Sequence, residues 1–211
     1  LMGLPLSTDR KNSDFLFLIG DDMALCTDCE IDSLLKKGAV IDLRAAQLLV
    51  HRGFGKRIGI QKIEPLTETF SGERFNNHAF NGEYQNSHNS NYFNSSLIDG
   101  KSVAKITYDD RAKLASRIIN HRKETVAPGA ASFENKYGER FFILPSADDG
   151  MFIYFTSMNA KRRTQLINAF EWIARKPLPV CAENERMCIN INRFDSRNVI
   201  TMFNLSCDEK C

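Results

Sequence analysis

The stretch LIGDDMALCTDCEIDSLLKKGAVID, residues 18–42, decides how this chain reads. It leaves an apolar run, residues 15–19, through Gly20-Asp21-Asp22 and reaches a second apolar run, residues 39–41, by way of a segment with helical spacing. Asp28 stands where an N-cap belongs, Ile31, Leu34 and Leu35 share one face, Lys36 and Lys37 fall in the last turn, and Gly38 is placed to terminate. Two short apolar strands joined by so brief a helical crossover should lie parallel. The expected fold is therefore α/β, a flavodoxin-like, mostly parallel sheet. In such a sheet, ligands gather just past the carboxyl ends of the strands, so Gly20-Asp21-Asp22 is either an active-site loop or a turn. Adjacent carboxylates on a turn diverge, whereas an acid/base dyad must converge on one substrate atom. A turn is the expectation.

Outward from this stretch the pattern continues. Asp42 caps a second helix carrying Ala45, Ala46, Leu48 and Leu49, which Gly53-Phe54-Gly55 ends, and Ile58-Gly59-Ile60 opens a further strand. Residues 73–100 then form an Asn-rich excursion carrying one irregular hairpin, with Asn76, Asn77, Asn81, Asn86, Asn89, Asn91 and Asn94, whose side chains compete with regular backbone ladders. Loops of that length inside a domain are functional or mobile. Residues 112–120 fit either helical or strand spacing. Residues 140–144 and 151–155 read as strands around a turn-rich link, and Asn159 caps a helix reaching about residue 174, with Leu166, Ile167, Phe170 and Ile173 buried. Pro177-Leu178-Pro179 marks a boundary. The α/β body thus spans residues 1–176, and residues 177–211 form a small β appendage with strands near 187–192 and 199–204 around a turn.

Composition narrows the function classes. The chain has 211 residues, 43% hydrophobic and 26% charged, with a formal net charge of +2, which does not ask for nucleic acid. Lys161-Arg162-Arg163, the densest basic cluster, is expected on a solvated helix face. No apolar stretch approaches the roughly 18 residues of a membrane helix, and the first residues lack a signal-peptide pattern. A chain opening on Leu1, with a strand within fifteen residues, reads as part of something longer. The six cysteines include Cys26 and Cys29 at C-x-x-C spacing, but no second close pair completes a zinc site and no thioredoxin-like loop residues flank them. Reduced thiols in a cytoplasmic setting are expected, with Cys207 and Cys211 near enough in sequence to pair on oxidation.

No catalytic residue, metal ligand or cofactor site emerges. His51, His78, His88 and His121 lack metal-ligand spacing, and His78 and His88 are expected to be exposed. No Gly-x-Ser-x-Gly elbow or Gly-x-Gly-x-x-Gly loop occurs. Cys26 with His51 is the one nucleophile–base pairing to test, although neither sits on a sharp strand-to-nucleophile turn. Trp172 is expected to be partly buried beside the apolar stripe of its helix. Tyr84, Tyr92 and Phe93, in the excursion, are the candidates for carbohydrate or partner contact.

Taken together, several stretches resemble one family. Gly3-Leu4-Pro5-Leu6-Ser7, Phe17-Leu18-Ile19-Gly20-Asp21, Gly38-Ala39-Val40-Ile41-Asp42 with Ala45-Ala46, Arg52-Gly53-Phe54-Gly55 and Ile58-Gly59-Ile60 are similar to the region that follows the catalytic barrel in large bacterial glycoside hydrolases related to the β-galactosidases. Glu134-Asn135-Lys136-Tyr137-Gly138-Glu139-Arg140 resembles that family's Asn-x-x-Gly-Gly-Arg segment, with Glu139 where the second Gly stands; residues 163–172, Leu178-Pro179 and Phe203-Asn204-Leu205-Ser206 also fit. The resemblance implies an α/β domain like a class I glutamine amidotransferase without its nucleophile, used for oligomerisation, then a small β-sandwich piece. It also implies that the catalytic glutamates belong to a barrel absent from this sequence. The function it implies is a non-catalytic accessory and association region acting in carbohydrate metabolism. Its partners would be the parent barrel, further copies of itself or carbohydrate, with neither nucleic acid nor membrane involved. The alternatives are a small stand-alone hydrolase or amidotransferase-like enzyme, or a carbohydrate-binding module. Glu139 removes any glycine-dependent backbone approach at its position.

Overall fold

Three short strands, β1 (Leu16–Leu18), β2 (Ala39–Ile41) and β11 (Arg140–Ile143), carry the parallel pairing of this protein. The computed structural model describes residues 12–89, 103–147, 159–181, 187–194 and 197–204. Helix α1 (Asp28–Leu35) opens with a capping box, in which Glu30 N donates to Thr27 Oγ1 and the Glu30 carboxylate accepts from Thr27 N. The N-cap is thus Thr27, one residue before the expected Asp28. Helix α2 (Leu43–His51) is capped by Asp42 as expected, with Ala45 N donating to Oδ1 at 2.8 Å. Both helices cover one face of the sheet. Ile31, Leu35, Leu43, Ala45, Ala46 and Leu49 pack with Leu16, Leu18, Ile41, Phe141 and Ile143 in one core cluster. Helix α3 (Ala160–Ala174), capped by Asn159, covers the other face through Leu166, Ala169, Phe170 and Ile173 against Val40, Phe142 and Leu144. The alternation of Val40 and Phe142 with Ile41, Phe141 and Ile143 is the period of two that lets one sheet serve both layers.

The expected flavodoxin-like, mostly parallel sheet is not what forms. Between α2 and β11 the described residues form strands with no α-helix among them: β3 (Ile60–Pro65), β4 (Gly72–Phe75), β5 (His88–Asn89), β6 (Ala104–Tyr108), β7 (Lys113–Leu114), β8 (Ser116–Ile119), β9 (Thr125–Pro128) and β10 (Ala131–Glu134). Parallel neighbours need a long crossover, whereas strands joined by turns pair antiparallel. The main sheet accordingly runs β1-β2-β11-β10-β7, with β10 antiparallel to both β11 and β7. Separate antiparallel sheets are β3-β6 and β5-β4-β8-β9. The architecture is mixed α/β with mostly antiparallel pairing. Residues 112–120, ambiguous in sequence, are strands, and the predicted strand at 151–155 lies outside the described residues.

Over its described part the excursion holds the expected irregular hairpin, β4 paired antiparallel with β5 across a 3-10 helix, but it is more ordered than its Asn-rich composition suggests. Residues 73–89 contribute to β4, to a 3-10 helix (Ala79–Tyr84) and to β5, and the 3-10 helix lies along α3 with Asn168 Nδ2 donating to Phe80 O at 3.0 Å. Its Asn residues stitch rather than loosen it. Asn81, fully buried, donates to Asn76 O at 2.8 Å and Ala115 O at 2.7 Å.

After Pro177 and Pro179 the chain forms an antiparallel hairpin, β12 (Met187–Phe194) and β13 (Arg197–Asn204), as the sequence predicts, in register from Met187↔Asn204 to Phe194↔Arg197. Val199, Ile200, Met202 and Phe203 of β13 are each 46–59% exposed.

Candidate functional site

The carboxyl ends of the parallel strands are the natural ligand position of an α/β sheet, and here they are closed by their own residues. Gly20, in the left-handed region at φ 59°, donates its N–H to Asp42 Oδ2 at 3.0 Å, so the fully buried Asp42 carboxylate caps α2 with one oxygen and secures the turn after β1 with the other. Leu43 N donates to Ser146 O at 3.1 Å, tying in the chain after β11. Asp21 and Asp22 are exposed, Asp21 lying 3.8 Å from the Arg44 guanidinium, so Gly20-Asp21-Asp22 is a turn, as its sequence implies. Cys26 is half-buried and Cys29 exposed, with no disulfide between them. The side chain reaching their loop is Arg52, not His51: it donates to Cys26 O at 2.6 Å and pairs with Asp28 at 2.6 Å, while His51 is exposed.

The most buried polar cluster lies elsewhere, between β4 and α3. Strand alternation turns Glu73 and Phe75 inward, and helical spacing puts Arg162 on the same stripe as Leu166, Ala169 and Ile173. Arg162 is 1% exposed, and it bonds Glu73 Oε2 and Gln165 Oε1, with its guanidinium 5.8 Å from the Phe75 ring centroid. Gln165 passes the network on to Asn81 Oδ1 at 2.7 Å. The basic cluster at residues 161–163 is therefore not a uniformly solvated face. Glu73 Oε1 has no hydrogen-bond partner among the described residues. Nearby, the Tyr108 hydroxyl donates to Gly129 O at 2.7 Å, and burial, then the charge of Glu73, push its ionisation far above the ordinary phenol value, so it stays a neutral donor. Held by the Arg162 guanidinium, the Glu73 carboxylate ties β4 to α3. The sequence signal for this cluster was present in the helical spacing of Arg162, but its partner is 89 positions away.

A second cluster joins α1, the segment after α2 and the β10–β11 turn. Arg57 donates to Glu139 through Nε at 2.8 Å and Nη2 at 2.6 Å, and it also pairs with Asp32. Asn135 adds Nδ2 to Glu139 Oε2 at 2.7 Å. The positive φ of this turn, 77°, falls on Gly138, which leaves the next position able to carry a side chain. Glu139 therefore fills with an ion pair the place where the family resemblance has a second glycine. Burial raises the Glu139 carboxyl, but the hydrogen bonds and charge of Arg57, together with Asn135, outweigh it and hold it below the ordinary range. A carboxyl depressed in the folded chain contributes stability that is complete above the unfolded value of about 4.3 and lost as pH falls through the folded value. Urea unfolding at a series of pH values should show stability falling on acidification, and Glu139→Gln should flatten the part of that fall below about pH 4.3. An unchanged slope would contradict this assignment.

His78 offers the nearest approach to a nucleophile–base pair. Its Nε2 lies 3.2 Å from Ser132 Oγ, but Nδ1 accepts from Phe80 N at 3.2 Å, which assigns the ring proton to Nε2. In that tautomer the imidazole donates to the serine and cannot take its proton. Half-burial, then Lys113, lower its proton affinity and keep it neutral. His78 is thus less exposed than expected, while His88 is exposed as expected.

The carbohydrate candidates are not brought together. Tyr84 is half-buried in the 3-10 helix, its carbonyl accepting from Ser87 N and Oγ, and Tyr92 and Phe93 lie outside the described residues. Trp172 packs beside Phe80 at 5.4 Å, and Arg140 stacks over its ring at 4.9 Å while donating to its carbonyl, the partial burial that was expected. Among the described residues no three His, Cys, Asp or Glu side chains converge as metal ligands, and no helix is long and apolar enough to cross a membrane. Comparison of the chain with protein-family models, curated proteins and solved structures finds no match.

Proposed function

We propose that this chain is a non-catalytic accessory and association region of a larger bacterial glycoside hydrolase related to the β-galactosidases, the family its sequence stretches resemble. The observation that carries the reading is the β12–β13 hairpin. An isolated two-stranded ribbon is marginal in water, and contiguous apolar exposure marks a surface meant to be covered by another polypeptide. Val199, Ile200, Met202 and Phe203 of β13 are the exposed ones: Ile200 and Met202 stand opposite the half-buried Ile191 and the buried Ile189 on one face, and Val199 and Phe203 flank Thr201 on the other. Further support comes from the use of buried charge. Asp42, Glu139 with Arg57, and Glu73 with Arg162 each tie distant segments together, which is how a scaffold uses ionisable groups.

Light scattering during size exclusion tests this reading. The wild-type chain should run as an oligomer, and the Ile200→Asp/Phe203→Asp variant should run as a monomer with unchanged far-ultraviolet circular dichroism. Neither should release nitrophenol from aryl glycosides. A wild-type chain that is monomeric at every concentration, or that turns over a glycoside unaided, would overturn it.

A further inference from the structure

The outward face of the β5-β4-β8 sheet carries a row of basic side chains in register. Arg74 of β4 stands directly opposite His88 of β5 on one side and Arg117 of β8 on the other. Residues directly opposite in an antiparallel pair project to the same face, so two guanidinium groups and an imidazole share it at the strand spacing of about 4.8 Å. Like charges in that position cost stability, and among the described residues neither Arg74 nor Arg117 is ion-paired with a carboxylate. Glu73, the adjacent acid in β4, faces the interior.

The β8–β9 turn extends the patch with His121, Arg122 and Lys123, all exposed. Lys123 takes a positive φ of 64°, and its carbonyl accepts from Arg74 Nη2, which fixes the Arg74 fork beside Arg117. Glu124 is the acid of that turn, and Asn120 Nδ2 donates to it at 2.9 Å. Since 28 basic residues face 26 acidic ones over the whole chain, this run of like charge is a local arrangement rather than an average property.

We infer that this face is a docking surface for an acidic polysaccharide whose carboxylates are received by Arg74 and Arg117, an inference that rests on the carbohydrate context proposed above. Planar forks suit bidentate recognition of carboxylates, and their repetition from strand to strand suits a ligand with charge repeated from ring to ring. Single-stranded nucleic acid fits less well, because it is held by aromatic stacking, and the accessible described residues of this face, Arg74, His88 and Arg117, include no Phe, Tyr or Trp, while the next rung, Gly72↔Ile119, is buried. A lipid surface fits less well too, because the exposed large apolar side chains lie elsewhere.

Isothermal titration of the full chain with an oligogalacturonate tests the inference, alongside its methyl ester, a poly-glutamate peptide of equal charge and a single-stranded oligonucleotide. The acid form should bind with salt-sensitive affinity, the ester should not bind, and Arg74→Gln/Arg117→Gln should weaken binding at least tenfold while leaving thermal stability unchanged or raised. Equal binding of the ester, tighter binding of the peptide or oligonucleotide, or an unaffected double variant would overturn it. If the acid form fails to bind while the chain still self-associates through its hairpin, this inference falls and the scaffold reading stands; loss of self-association alone falls on the scaffold reading.

Discussion

Arg162→Ala is expected to destabilise the protein by about 3–5 kcal/mol, because it leaves Glu73 as an uncompensated charge at a site with no exposure. In a protein of this size that is a fall in Tm of about 6–20 °C. The cause is the orphaned partner and not the loss of an especially favourable bond, since withdrawing both ions from water costs nearly what their attraction returns. Glu73→Leu/Arg162→Met should therefore recover most of the loss. Chemical denaturation of the wild type, Glu73→Leu, Arg162→Met and their double variant forms a cycle that isolates the pair. A double variant as unstable as Arg162→Ala alone would show that the guanidinium matters chiefly for its contacts with Gln165 and Phe75.

Phe170→Ala is the second large effect, also about 3–5 kcal/mol. Phe170 is fully buried, its ring stacked on Phe15 at 4.6 Å and edge-on to Phe17 at 5.6 Å, so it joins α3 to β1 and the segment leading into it. Truncation removes transfer energy and leaves a cavity that a rigid sheet and a capped helix cannot close. Phe170→Leu keeps most of the volume and should lose less. Thermal unfolding of the two variants should place them in that order; equal losses would mean that the ring contacts, rather than volume, set the cost.

Local patterns in the sequence carried much of this fold. The α1, α2 and α3 helices follow from apolar spacing with polar caps, and Asp42 and Asn159 cap where their side-chain chemistry predicts. The turn character of Gly20-Asp21-Asp22 followed from the divergence of neighbouring carboxylates. What was not legible is long-range. Nothing near residue 140 says that β11 will lie beside β2, and nothing in residues 60–134 distinguishes strands that will meet in hairpins from strands awaiting crossovers. The parallel expectation extrapolated one βα unit across a region whose described residues form no α-helix. The same limit hid the candidate sites: Glu73 is one acid in a polar segment until Arg162 arrives, and Arg74 and Arg117 become neighbours only when β4 and β8 are set in register. Over residues 73–89 the Asn-rich composition was informative about side-chain hydrogen bonding and misleading about order, because Asn81 spends its amide on the protein's own carbonyls.

The placement of β2 between β1 and β11 also bears on how the polypeptide matures during synthesis. Its two neighbours leave the ribosome far apart in time: β1 precedes it, whereas β11 follows after the whole antiparallel region has been translated, an interval on the order of ten seconds. Until then one edge of β2 and the apolar side chains of α2 lack their final cover. Productive maturation consequently depends on nothing else pairing with that edge first, which makes the nascent protein, more than the finished one, the stage at which chaperone assistance and aggregation compete.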